Sequence, residues 1–106
     1  NAQARRPIAS ITKLMTVLVV LQHHELRDVV TVDPRAAAVG ESSIGLRPGE
    51  QITVRDLVKG ALIQSANDAA DALALSVSPT FSSFAVLMNA EARRLGLVHS
   101  SFVRPE

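Results

Sequence analysis

Cysteine, tryptophan and tyrosine are all missing from this chain, and each absence narrows what it can be. Without thiols there is neither a disulfide frame nor a thiolate metal site, although the redox compartment stays open, since exported proteins can also lack cysteine. An excess of charge of one sign is missing too. The 11 Lys and Arg residues against 10 Asp and Glu leave a net charge of +1, which gives no electrostatic reason to expect nucleic acid. The longest apolar stretch, Leu14 to Leu21 with Thr16 inside it, is too short to span a bilayer. The opening residues lack the charged, apolar and small-residue sections of a signal peptide, so any export is expected to be directed by sequence outside these residues. What is present is a chain of 106 residues, 47% of them apolar, enough for one domain with a modest core.

Hydrophobic period orders the chain as helix, a short extended region, then more helix. Ile11, Leu14, Met15, Leu18 and Val19 follow helical spacing from Ser10 to about Glu25, and Val17, Val20 and Leu21 widen the stripe nearly all the way round, as for a central helix. Val29 to Val32 reads as a short strand. Ser43 to Val54 reads as a hairpin whose turn is Pro48-Gly49, the pair suited to the middle of a type II turn. Thr53 with Asp56 resembles a capping box before the helical run Val54, Leu57, Val58, Ala61 and Leu62. A third helix is expected near Asn67, and a fourth at Ser78-Pro79 with N-cap serine and first-turn proline. That last helix lines up Phe81, Phe84, Ala85, Met88, Ala92 and Leu95 as core, before Gly96 closes it.

The most telling chemistry is Ser10-Ile11-Thr12-Lys13, a hydroxyl and an amine one helical turn apart on one face. If the helix starts at or just before Ser10, unpaired N–H groups surround the serine and favour negative charge developing there. The same positive end, with partial burial, disfavours a protonated Lys13, leaving a base beside a nucleophile. The spacing alone also suits a helix cap or two exposed residues. Ser65-Ala66-Asn67 falls at an expected junction between two helices, where a hydroxyl and an amide can project together from a rigid corner; alternatively, Ser65 or Asn67 caps the helix that follows.

Other clusters read blandly. His23 and His24 are adjacent and point to different sides of a helix, so no metal is assigned. Arg5-Arg6 and Arg93-Arg94 read as solvated pairs, and Asp68 and Asp71 as residues favouring a helix start. No cofactor is implied.

The runs Pro7 to Thr16, Ser42 to Glu50 and Leu57 to Ala70, joined by Phe84 to Asn89, Leu95-Gly96-Leu97 and Ser101-Phe102, resemble the low-molecular-mass penicillin-binding proteins, more narrowly the serine D-alanyl-D-alanine carboxypeptidases. The resemblance covers essentially the whole chain. It implies an α/β serine-β-lactamase/D,D-peptidase-like fold, of which this chain is mainly the helical part with a short β-hairpin, a single partial catalytic domain over residues 1–106. It implies Ser10 as the nucleophile toward the penultimate D-alanine of a peptidoglycan stem peptide, Lys13 as the acceptor of its proton, Ser65 as a proton relay to the departing amine, and Asn67 as a hydrogen-bonding partner of Lys13 and the substrate backbone. β-Lactams would acylate Ser10 in the same way. The location implied is outside the cytoplasmic membrane.

The family's third motif, Lys-Thr-Gly or Lys-Ser-Gly, occurs nowhere here; Lys59-Gly60 lacks the middle hydroxyl residue. The chain therefore reads as lacking the sheet that supplies the second oxyanion donor, and its first helix is expected to need that sheet or a second copy as cover. Two other classes stand beside this reading: a class A β-lactamase-like hydrolase, for which no deacylating glutamate is identified, and a non-catalytic helical interaction module.

Overall fold

The computed structural model describes residues 2–37, 42–97 and 101–106, with backbone only for residues 2–10. Among the described residues, five helices and two short strands follow in the order α1 (Ala2–Leu21), β1 (Val29–Thr31), α2 (Pro34–Ala37), β2 (Gln51–Thr53), α3 (Val54–Ile63), α4 (Asn67–Leu75) and α5 (Phe81–Arg94).

Helix α1 begins eight residues before Ser10, at Ala2, and not at Ser10 as the sequence suggested. Ala2, Gln3, Ala4, Arg5 and Arg6 are all strong helix formers, and here they carry the helix back through Pro7 at the loss of one backbone hydrogen bond. The helix also stops short of Glu25. The Asp28 carboxylate accepts the Glu25 N–H at 2.9 Å, drawing that donor out of the helical ladder.

The expected turn at Pro48-Gly49 is present: Glu50 N–H donates to the Arg47 carbonyl at 3.1 Å, and Gly49 takes the positive φ of 81° that the third turn position requires. The strands flanking it differ from the expected hairpin. β2 pairs antiparallel with β1, Val30 opposite Ile52, and residues 43–47 form no strand. The reason is Asp68, whose carboxylate accepts the N–H groups of Ile44 and Leu46, each at 3.0 Å, the donors a strand would have offered to a neighbour. Gly60 makes room for this loop. A Cβ there would lie 3.0 Å from Ile44 Cδ1 and 3.2 Å from Ala69 Cβ, so Ile44 seats on the glycine.

Thr53 caps α3 by accepting the Asp56 N–H at 3.2 Å. Helix α5 is capped by Thr80 and not by Ser78: the Thr80 hydroxyl accepts from Ser83 N–H at 3.0 Å and the Ser83 hydroxyl accepts from Thr80 N–H at 3.2 Å. This reciprocal box satisfies two donors, which outweighs the simpler cap offered by Ser78. The helix ends in a Schellman motif, with Gly96 at φ 80°, Leu97 N–H on the Ala92 carbonyl and Gly96 N–H on that of Arg93.

The core is built around α4, which packs against α1, α2, α3 and α5 and is buried continuously from Asp68 to Ala74. Small side chains at Ala69, Ala70, Ala72 and Ala74 let four neighbours approach it closely. α1 contributes Met15, Val17, Val19 and Val20, and α5 contributes Phe84, Met88 and Ala92 as expected, whereas Leu95 is exposed. The closing segment is pinned across α1 and α5. Asn89 exchanges two hydrogen bonds with the Phe102 backbone, both at 2.8 Å, and the buried Thr16 hydroxyl donates to the Pro105 carbonyl at 2.7 Å.

Candidate active site

Lys13 sits on the face of α1 that meets the corner between α3 and α4. Its side chain is almost fully enclosed, at 5% exposure, and Nζ donates to the backbone carbonyl of Ser65 at 2.8 Å. Residues separated by 52 positions, singled out for chemistry and not for packing, thus come together.

The corner has its own local cause. α3 ends at Ile63, Ala66 N–H returns to the Gly60 carbonyl at 2.9 Å, and the chain reverses through Ser65 at a φ of 52°. A left-handed serine costs on the order of 1 kcal/mol, and such strain collects where a backbone group must be aimed. Here it aims the Ser65 carbonyl at Lys13. The Ser65 side chain is exposed and, with Lys13, Leu14, Ala61 and Leu62, lines a cleft of about 140 Å³.

Burial pushes Lys13 below its usual value, because an ammonium loses its hydration there; the negative charges of Glu106 and Asp71 act in the opposite direction. The sequence attributed this effect partly to a helix N-terminus beside Lys13. Since α1 reaches back to Ala2, its unpaired N–H groups lie more than a turn from Ser10, and burial is the operative cause. The side chain of Ser10 lies outside the described residues, as do those of Arg5 and Arg6.

Neither Ser65 nor Asn67 caps α4. The N-cap is Ala66, which makes no side-chain hydrogen bond, and Asn67 is the first helical residue, half-buried, its N–H on the Ser42 carbonyl at 2.6 Å. Among the described residues no hydrogen bond joins Asn67 to Lys13; that place is taken by the Ser65 carbonyl. His24, one of the adjacent pair, contacts the Asp28 carboxylate and the Ser76 carbonyl, both at 3.3 Å, and so ties down the end of α1.

Two residues around the site have roles the sequence reading missed. Asp68 does lie in the first turn of α4, but its carboxylate holds the loop at Ile44 to Leu46 beside the corner. Asp71 lies beyond that turn, wholly buried, with Arg104 Nη2 at 3.5 Å from Oδ2. The signal was an aspartate inside the apolar run Ala69-Ala70-Asp71-Ala72-Leu73, where nothing polar is expected without a partner. Away from the site, Arg94 is exposed, as read, and its Nε also donates to the Glu91 carboxylate at 2.9 Å.

On this α4-centred bundle the enclosed Lys13, one helical turn after Ser10, thus faces the strained corner that carries Ser65 and Asn67. A family model described as D-alanyl-D-alanine carboxypeptidase matches residues 1–106, and the chain belongs to that family. It is 38% identical over 110 residues to D-alanyl-D-alanine carboxypeptidase DacF of Bacillus subtilis, covering 99% of this chain and 28% of that protein. It is 42% identical over 113 residues to DacC of Escherichia coli, covering 96% of this chain and 28% of that protein. The crystal structure of a D-alanyl-D-alanine carboxypeptidase from Mycobacterium tuberculosis superposes with a TM-score of 0.84 at 31% identity, over 91% of this chain and 36% of that one. The chain thus spans little more than a quarter of the first two relatives.

Proposed function

We propose that these residues form the nucleophile-bearing, helical part of a penicillin-sensitive serine D,D-carboxypeptidase that acts on peptidoglycan stem peptides outside the cytoplasmic membrane. The observation that carries the reading is the 2.8 Å hydrogen bond from the enclosed Lys13 amine to the Ser65 carbonyl, which brings the two sequence motifs to one cleft. An amine anchored by one N–H, and held below its usual pKa by burial, is suited to take the proton of the serine one turn away.

In the proposed reaction the Ser10 oxygen attacks the carbonyl carbon of the penultimate D-alanine while Lys13 takes the hydroxyl proton. The bond to the terminal D-alanine nitrogen then breaks, and that nitrogen receives a proton relayed through Ser65. Water hydrolyses the remaining ester and frees Ser10. A β-lactam opens its ring on the same oxygen. Ser10 needs unpaired N–H groups beside it for the oxyanion, so in the acylating form we place the helix start near Ser10. Arg6-Pro7 is where unwinding costs least, because proline lacks an N–H and disfavours helix in the residue before it. The second donor and the wall facing the substrate carboxylate would come from a Lys-Thr-Gly strand outside these residues. That sheet would also cover Ile11, Leu14 and Leu18, which are about half exposed on α1.

The test is D-alanine release from a D-alanyl-D-alanine peptide by the complete enzyme, with and without penicillin, for wild type and Asn67→Asp. An aspartate at the first helical position is favourable to the helix, so the variant's melting temperature is expected to hold or rise. Release is expected to be penicillin-sensitive and to fall roughly 10²-fold in the variant, the scale of losing one positioned donor. Absent release in the wild type overturns the activity, and unchanged release in the variant removes Asn67 from the site.

A further inference from the structure

Asp71 and Glu106 are left over by this account, and their surroundings are unusual. Asp71 is wholly buried, and Asp71 Oδ1, Asp71 Oδ2 and Glu106 Oε2 are buried without a hydrogen-bond partner among the described residues. Orphaned carboxylate oxygens at such depth are costly, and native proteins rarely leave them so. Arg104 reaches both groups at ion-pair distance, 3.5 Å to Asp71 and 3.7 Å to Glu106, while its guanidinium lies 4.6 Å from the centre of the Phe81 ring. Two ionised carboxylates can only accept hydrogen bonds, and like charges this close resist ionising together. A single proton resolves both problems: one group becomes a donor to the other, and the pair carries one negative charge opposite one arginine.

We infer that Asp71 and Glu106 hold one proton between them in the wall behind Lys13, and that this pair, clasped by Arg104, is the positioning element that sets how readily Lys13 gives up and takes a proton. The groups facing the pair are Lys13 from α1, Asp68 from α4 itself, and Arg104 from the closing segment; α5 supplies the uncharged Phe81 ring. Burial first, then the Glu106 carboxyl, push Asp71 up to about 8, against a weaker downward pull from Arg104. Around neutrality Lys13 therefore faces one negative charge, and above pH 8 it faces two. The second charge favours the ammonium, so it opposes formation of the free amine on the alkaline side.

The part of this inference that concerns Lys13 rests on its role in the proposed carboxypeptidase; the shared proton does not. Isotope-edited infrared spectra of the complete enzyme read the proton directly and need no turnover. The wild type is expected to show one protonated carboxyl at pH 7 that is lost near pH 8. Asp71→Asn should lack that signal, and Glu106→Gln should move its titration to lower pH, because the carboxyl neighbour that raises Asp71 is gone. For Lys13, the pH dependence of acylation by a fluorescent penicillin is the readout. In Asp71→Asn the rise toward the alkaline plateau is expected to finish at lower pH, since the second charge no longer appears. Fully ionised carboxyls at pH 7 in the wild type, or a signal unmoved by both variants, would overturn the shared proton. Mere structural damage lowers the rate without shifting that rise, so an unchanged rise in a folded Asp71→Asn enzyme would overturn the link to Lys13.

Discussion

Acylation of the complete enzyme by a labelled penicillin is expected to fall by about 10²- to 10⁴-fold when Lys13 is replaced by arginine, the range spanned by a positioned general base. Arginine keeps the positive charge and can still donate to the Ser65 carbonyl, so a purely structural or electrostatic lysine would tolerate the change with modest loss. It cannot shed its proton, however, because a guanidinium stays charged across the accessible pH range. Lys13 is suited to the opposite behaviour, since burial lowers its pKa and brings the free amine within reach at lower pH. Thermal melting of the same variant separates the two readings: acylation collapses while the fold persists. Near-normal acylation by a folded Lys13→Arg enzyme would show that the base lies elsewhere.

The second large effect concerns the surface of α1. Ile11, Leu14, Leu18 and Leu21 are 50%, 51%, 46% and 42% exposed at helical spacing, and Leu62 and Ile63 add further open apolar surface on α3. Covering side chains exposed to this degree is worth on the order of 1 kcal/mol each, so a run of them rarely stays bare in water. The 106-residue chain alone is therefore expected to associate, with a light-scattering mass above the 11.3 kDa of one copy, and to release little D-alanine. Leu14→Glu with Leu18→Glu should return it to one copy without loss of helical signal, because both side chains point away from the core. A monodisperse single copy with carboxypeptidase turnover comparable to the complete enzyme would contradict both expectations.

Hydrophobic period made the four longer helices legible, the Thr53 cap marked the start of α3, and the Pro48-Gly49 turn was legible because only a glycine accepts the third turn position so readily. The errors share a physical cause, which is competition for backbone hydrogen bonds that a local reading does not include. Asp68 removed the Ile44 and Leu46 donors from any strand, Ser83 gave Thr80 a better cap than Ser78 offered, and strong helix formers before Pro7 carried α1 past the proline. At the site, Lys13 and Ser65 were legible as residues but not as a pair through a main-chain carbonyl, because the strained φ at Ser65 has no sequence signature. Asp71 was visible in an apolar run, yet its neighbours Glu106 and Arg104 come from a segment more than thirty positions away, brought back by the Asn89 and Thr16 hydrogen bonds.

The central claim is that Ser10 is the covalent nucleophile of this site. Incubating the complete enzyme with a labelled β-lactam, digesting it and mapping the adduct by peptide mass spectrometry tests that claim directly. The account predicts label on Ser10 alone, and none in Ser10→Ala. Label on Ser65, or labelling undiminished in Ser10→Ala, would contradict it.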